Sequence, residues 1–230
     1  MIDLTKLNPE QKQAVLTTEG PLLILAGAGS GKTRVLTYRA AYLLEKGVPP
    51  WAILAITFTN KAAREMRERI NRLAGEAADD MWVMTFHALS ARILRRDIEK
   101  LGYKREFSIY DDDDQMTLIK RILKKLDISD KSYPPRAVKS VISDAKNHML
   151  SPEEWLKDNP DFRSKPYYRA YCEYEKELKE NNALDFDDLI LKTLELLTEH
   201  PPVLEVYRRK FSYIMVDEYQ DTNKAQYMLV

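Results

Sequence analysis

Three apolar runs, "PLLILAG" at 21–27, "AILAITFT" at 52–59 and "MWVMTF" at 81–86, each give way to a stretch with helical spacing. This alternation restricts the chain more than any other feature. The helical stretches run from Lys32 to about Lys46, through "NKAAREMRERINRLAG" at 60–75, and through "ALSARILRRDIEKL" at 88–101. Strands that alternate with helices pair in parallel, and near-continuous Leu, Ile and Val suit strands whose two faces are both covered by helices. The expected fold class is α/β, with a doubly wound parallel sheet.

After "EFSIYD" at 106–111 the alternation stops, and only helices are expected from Asp112 to about Asn182, separated by "SDKSYPPR", "MLSPEEW" and "DNPDFRSKP". Within "DDDQMTLIKRILKKL" the spacing puts Met116, Ile119, Leu123 and Leu126 on one face; "YYRAYCEYEKEL" does the same with Tyr167, Tyr171, Tyr174 and Leu178. Both stripes need a covering partner, and the tyrosines read as core. The helix "LDFDDLILKTLELL" and the segment "VLEVYRRK" follow, and "FSYIMVDEYQD" then restores a buried strand that ends in carboxylates. The expected organisation is a first α/β part at 1–110, an all-helical insertion at 111–184, and a return to the α/β domain at 185–230.

Overall charge says nothing about a nucleic-acid partner, because Lys plus Arg and Asp plus Glu are both 36. Any such claim must rest on local features. The N-terminal "MIDLTKLNPEQKQAV" lacks the apolar stretch of a leader, and no apolar run is long enough to cross a bilayer, so a cytoplasmic chain with no membrane partner is expected. Cys172 is the single cysteine, and His87, His148 and His200 have no metal-ligand spacing, which argues against a disulfide or structural zinc.

Between the first strand and helix lies "LAGAGSGKT" at 25–33, which fits G-x-x-x-x-G-K-[ST] except that Ala26 replaces the first glycine. Small residues at a strand-to-helix turn let successive backbone N–H groups converge on phosphate oxygens at the positive end of the helix dipole. Gly27, Ala28, Gly29, Ser30 and Gly31 would form that cradle, Lys32 would reach β- and γ-phosphates, and the Thr33 hydroxyl would ligate Mg²⁺. The second element such a site needs is a carboxylate. In "YIMVDEYQD", Asp217 at the strand tip suits the metal, through water, and Glu218 suits the general base for an attacking water. The alternative is a glycine-rich turn that binds nothing, with two acids capping a following helix.

With both elements in place, "LNPEQKQAV", "AGAGSGKT", "ITFTNKAAREMRERI", "TFHALSARILRR", "LDFDDLI" and "VDEYQDTN" together resemble the N-terminal part of the PcrA/UvrD/Rep-like superfamily 1 DNA helicases, over essentially the whole chain. The resemblance implies a RecA-like ATP-binding domain 1A carrying a helical insertion 1B, with ATP and Mg²⁺ as cofactors. It implies that Gln11 recognises the adenine ring and that Arg34 contacts the nucleotide. It also makes "TFTNKAA" and "TFHA" DNA-contacting segments at strand ends, where open α/β sheets bind ligands. There Phe58 would stack on a base and Thr59, Asn60, Lys61, Thr85 and His87 would hold backbone phosphates, with Phe86 beside them. Phe58 and Phe86 are equally readable as core, and His87 as a helix cap.

Among the remaining charges, Glu65 and Glu68 stand four residues before Arg69 and Arg72 and read as surface pairs, not as a DNA patch with Lys61, Arg64 and Arg67. "RILRR" up to Arg96 is the better basic candidate. Asp111 to Asp114 read as a helix start, with Asp112 and Gln115 spaced as a capping box, and "DFDD" at 185–188 reads likewise.

A motor of this class hydrolyses ATP between two RecA-like domains, the second contributing arginine fingers. The resemblance therefore implies that the chain is part of a longer ATP-dependent 3′-to-5′ helicase acting on single-stranded and partly duplex DNA, with the C-terminal helicase domains as its partner and little turnover alone. A nucleotide- or DNA-binding module without turnover, or a subunit of a related helicase-nuclease, are the alternatives.

Overall fold

The computed structural model describes residues 2–27 and 29–230. In chain order the elements are α1 (Pro9–Leu16), α2 (Lys32–Glu45), β1 (Ile53–Thr57), α3 (Asn60–Ala74), β2 (Trp82–Thr85), α4 (Phe86–Asp97), β3 (Ser108–Ile109), α5 (Asp112–Lys125), α6 (Pro135–Asn147), α7 (Pro152–Asp158), α8 (Lys165–Glu180), β4 (Ala183–Leu184), α9 (Phe186–Glu199), α10 (Pro201–Lys210), β5 (Tyr213–Val216) and α11 (Lys224–Leu229). They fall into two compact units, Met1–Ala88 with Leu204–Asp221, and Leu89–Val203 with Thr222–Val230.

The first unit holds a parallel sheet in the order β2-β1-β5. Leu54 of β1 aligns with Trp82 of β2 and with Ile214 of β5, and Thr57 aligns with Thr85. All five residues of β1 are buried, as a strand flanked on both edges and covered by helices requires. Ile53 and Ala55 pack with Val83 and Met215 against Ala40 and Leu43 of α2 and Met66 and Ile70 of α3. The local starts and stops have plain causes. Thr59 caps α3 by accepting the Ala62 N–H, and Gly75, at a φ of 67°, ends it.

The mixed α/β class with a parallel sheet is as expected. One strand is not. Residues 21–27 form no ladder, and Leu22, Leu23 and Leu25 are 40%, 65% and 85% exposed. A parallel strand exists only through hydrogen bonds to a neighbour, and among the described residues none pairs with this run. Only Ile24 packs inward, against the cluster of Leu7, Val15, Val35 and Tyr38.

The second unit is helical around one core, in which Leu118, Ile119, Ile122 and Leu123 of α5 meet Val138 and Ile142 of α6 and Tyr171, Tyr174 and Leu178 of α8. The tyrosine stripe is core, as its spacing requires. On α5 the buried face is rotated from the expected one: Met116 and Leu126 sit at its margin. The capping box also differs by one position, since Asp111 is the cap and Asp114 its partner. Short strands β3 and β4 pair in parallel, Ser108 with Ala183 and Ile109 with Leu184, so the helices between them leave and return at adjacent points.

Candidate nucleotide and nucleic-acid site

The phosphate-loop candidate ends where Gly31, at a φ of 89°, caps α2 in a left-handed conformation that glycine adopts without strain. The loop closes on itself through Ser30, whose N–H and hydroxyl both donate to the Gly27 carbonyl, at 3.2 and 2.6 Å. Lys32 folds back over it, its Nζ donating to the carbonyls of Ala26 at 3.2 Å and Gly27 at 3.4 Å. Ala28 lies outside the described residues.

Asp217 follows the end of β5, held by its N–H to the Ile56 carbonyl at 2.9 Å. Its carboxylate accepts the Thr33 hydroxyl at 3.1 Å, across 184 residues of sequence. Burial raises the Asp217 carboxyl above its ordinary range, and the neighbouring Glu218 charge adds to this against the Thr33 hydrogen bond, which lowers it. Glu218 has a positive φ of 50°, uncommon for a residue with a side chain, and its carboxylate accepts a hydrogen bond from Gln220.

Gln11, at the third position of α1, completes a capping box with Asn8 and also donates from Nε2 to the Ser30 carbonyl at 2.8 Å. Arg34 extends from the first turn of α2 and lies over the Tyr38 ring, 5.7 Å from its centre.

The two DNA-contact candidates sit at the carboxyl ends of adjacent strands, joined by the Thr57 to Thr85 register. Phe58 is half-buried, Thr59, Asn60 and Lys61 are exposed, and His87 is half-buried. Two of the expected contacts need correction. Phe86 is 1% exposed and meets Phe58 edge-on at 5.5 Å, so it is core that supports Phe58 and not a group offered to a ligand. Thr85 is buried, with its hydroxyl accepting the Ala88 N–H at the start of α4. The "RILRR" patch is also broken up. Arg95 lies 3.8 Å from the centre of the Phe107 ring and Arg96 pairs with Asp97 at 3.5 Å. The α3 pairs Arg69–Glu65 and Arg72–Glu68 form as expected, at 3.5 and 3.7 Å.

Residues 7–230 match the UvrD/REP helicase N-terminal domain. The chain belongs to that family. It is 56% identical over 228 residues to an ATP-dependent DNA helicase PcrA of Bacillus subtilis (strain 168), covering 99% of this chain and 31% of that protein. The PcrA of Staphylococcus aureus (strain Mu50 / ATCC 700699) is 54% identical over the same length, and that of Staphylococcus epidermidis is 55% identical over 225 residues. The chain thus spans about a third of the length of these UvrD/REP-type relatives, their N-terminal part. No helix among its described residues is long and apolar enough to cross a membrane.

Two arrangements in this UvrD/REP-type chain escaped sequence reading. Buried Arg39 of α2 donates to the carbonyls of Ala14, at 2.9 Å, Thr17 and Thr18, fastening the end of α1; nothing in the charge pattern marks it. In the second unit Lys146, 1% exposed, has its Nζ 2.8 Å from Glu175, 2.8 Å from Asp185 and 2.7 Å from Asp188. Its one legible signal was position, since it follows Ala145 on the buried face that Val138 and Ile142 define.

Proposed function

We propose that this chain is the ATP-binding portion, with part of the single-strand track, of an ATP-dependent 3′-to-5′ DNA helicase that couples hydrolysis to translocation and duplex unwinding in DNA repair or replication. The observation that carries the reading is the Thr33 to Asp217 contact at 3.1 Å, which joins the phosphate loop to the carboxylate at the strand end. The similarity to proteins named ATP-dependent DNA helicase supports it.

Thr33 and Asp217 fit Mg²⁺, because a hydroxyl and a carboxylate are the hard oxygen donors that ion takes, with phosphate and water oxygens filling the other positions. Bound there, the ion neutralises charge that develops on the phosphates. The chain's own groups do the rest. Lys32 exchanges the Ala26 and Gly27 carbonyls for β- and γ-phosphate oxygens, and the loop N–H groups up to Thr33 bind the same phosphates. Gln11 reads the adenine and Arg34 lies beside the nucleotide. Glu218 accepts the proton of the attacking water, and its Gln220 hydrogen bond orients the carboxylate. At the neighbouring strand ends Phe58 stacks on a base, while Thr59, Asn60, Lys61 and His87 hold phosphates without reading sequence.

In this reading the arginine finger comes from a second RecA-like domain, and a phosphate site without one is slower by about 10³ to 10⁵. This chain alone is therefore expected to bind nucleotide and turn it over slowly. A calorimetric titration with a Mg-ATP analogue, comparing the chain with Lys32→Ala and followed by turnover with and without single-stranded DNA, tests this. Binding lost in the variant with little turnover is the expected result; equal binding by both chains would sink the reading.

A further inference from the structure

Residues 25–30 of the phosphate loop are exposed where described, and their own hydrogen bonds are local, between Ser30 and Gly27 and from Lys32 to Ala26 and Gly27. Among the described residues, one hydrogen bond reaches this segment from beyond the loop and the helix α2 that follows it. That bond runs from Gln11 Nε2 to the Ser30 carbonyl, 2.8 Å across 19 residues. The approach is close enough that a Cβ placed on Gly31 would lie 2.9 Å from the same nitrogen.

The platform that carries Gln11 is firmly held. Val15 of α1 is fully buried against Leu7, Val35 and Tyr38, and Arg39 of α2 grips the carbonyls at the end of α1. The Gln11 side chain is itself fixed, because its Oε1 accepts the Asn8 N–H at 3.1 Å. A bond from a side chain with so little freedom restrains the group it reaches, at small entropic cost on binding.

We propose that Gln11 is a positioning residue for the phosphate loop: it holds the Ser30 carbonyl so that the loop is set for phosphates even when no base is bound. The proposal rests on the nucleotide-site reading and goes beyond adenine recognition. A primary amide has two N–H donors and an oxygen with two acceptor directions. With Ser30 and Asn8 satisfied, one donor and one acceptor direction remain, which is what an adenine edge requires. Base and loop are then held by one group, and occupancy of the base site steadies the loop.

The test uses a ligand with no base. Affinities for Mg-tripolyphosphate and for a Mg-ATP analogue are measured on the chain and on Gln11→Leu, Asn8→Ala and Lys32→Ala, with folding followed by circular dichroism. Gln11→Asn, whose shorter amide falls short of Ser30, stands in if Gln11→Leu fails to fold. The expected result is tripolyphosphate binding that is lost in Lys32→Ala, weakened about five- to tenfold in Gln11→Leu, and within about twofold of the parent chain in Asn8→Ala. If Gln11→Leu weakens only the ATP analogue, Gln11 reads the base alone and the proposal falls while the nucleotide site stands. If Asn8→Ala weakens tripolyphosphate as much as Gln11→Leu does, helix capping explains the effect and the proposal also falls. Equal binding of both ligands by the parent chain and Lys32→Ala would instead remove the nucleotide-site reading itself.

Discussion

The helical unit buries the apolar stripes of α5, α6 and α8 against one another, whereas the sheet unit leaves one of its most apolar runs, "PLLILAG", largely in solvent. Apolarity does not separate them. An amphipathic helix satisfies its own backbone and needs only a nearby face to cover it, which α5, α6 and α8 supply to one another within about 70 residues of chain. A parallel strand needs its hydrogen-bond partners as well, and those come from distant sequence. β1 has both, in β2 and β5, and is wholly buried; residues 21–27 have neither among the described residues. Burial is thus a property of the partner as much as of the segment.

The sharpest way to break that contrast lies in the helical unit, where burial extends to charge. Lys146 holds together Glu175, Asp185 and Asp188, and Tyr174 donates to Asp185 at 3.0 Å. Lys146→Ala leaves buried carboxylates without their cation, a loss of about 3 to 5 kcal/mol. Denaturant unfolding followed by circular dichroism reads it. A loss below about 0.5 kcal/mol, the ordinary surface range, would mean that water or rearrangement replaces the lysine and that this unit is no better specified than the exposed run.

A matched pair of truncations sharpens the comparison within the sheet unit. Leu43 is 1% exposed between α2 and the sheet, and Leu25 is 85% exposed. Leu43→Ala is expected to cost about 2 to 5 kcal/mol and Leu25→Ala less than about 0.5 kcal/mol. If the two cost the same, residues 21–27 are covered in solution, and sedimentation at rising concentration would then show the self-association that an exposed apolar run with an open sheet edge invites.

Much of this was legible. Period and turn residues gave the sheet class, the helices of the insertion and the tyrosine core, because those follow from local spacing. The phosphate-loop candidate and Asp217 stand out only as separate motifs, and the α3 ion pairs follow from their four-residue spacing. What escaped depends on which group meets which across long stretches of chain: Arg39 on the end of α1, Lys146 under the "DFDD" cap, Gln11 on Ser30, and Arg95 on Phe107. The exposure of Leu23 escaped for the same reason, whereas the burial of Phe86 was one of two readings its sequence left open.

The remaining expected effect is one of pH, and it centres on the buried cluster of the helical unit. Burial drives the Asp188 carboxyl up to about 8, and the adjacent Asp185 charge adds to the shift against the pull of Lys146. Burial also pushes Asp185 upward, but the Lys146 charge and hydrogen bonds from Lys146, the Asp188 N–H and Tyr174 outweigh it and hold Asp185 below its ordinary value. Lys146 loses by desolvation and gains more from its three carboxylates, so it stays charged. A carboxyl raised in the folded state binds a proton that the unfolded chain has released, so its stabilisation is complete below about pH 4 and is lost as pH rises through about 8. Asp185 acts only below about pH 4 and Lys146 only above about pH 10, which leaves Asp188 alone of the three in the window between. Stability should therefore fall from pH 5 to pH 8 by at most about 1.4 kcal/mol per pH unit from this one proton. Asp188→Asn should flatten that slope, because an amide neither takes up nor releases the proton. Should the slope survive in the variant, its source would lie elsewhere, as in Asp217, whose carboxyl burial also raises, and the cluster would keep Lys146 balanced by two full negative charges on the Asp185–Asp188 pair.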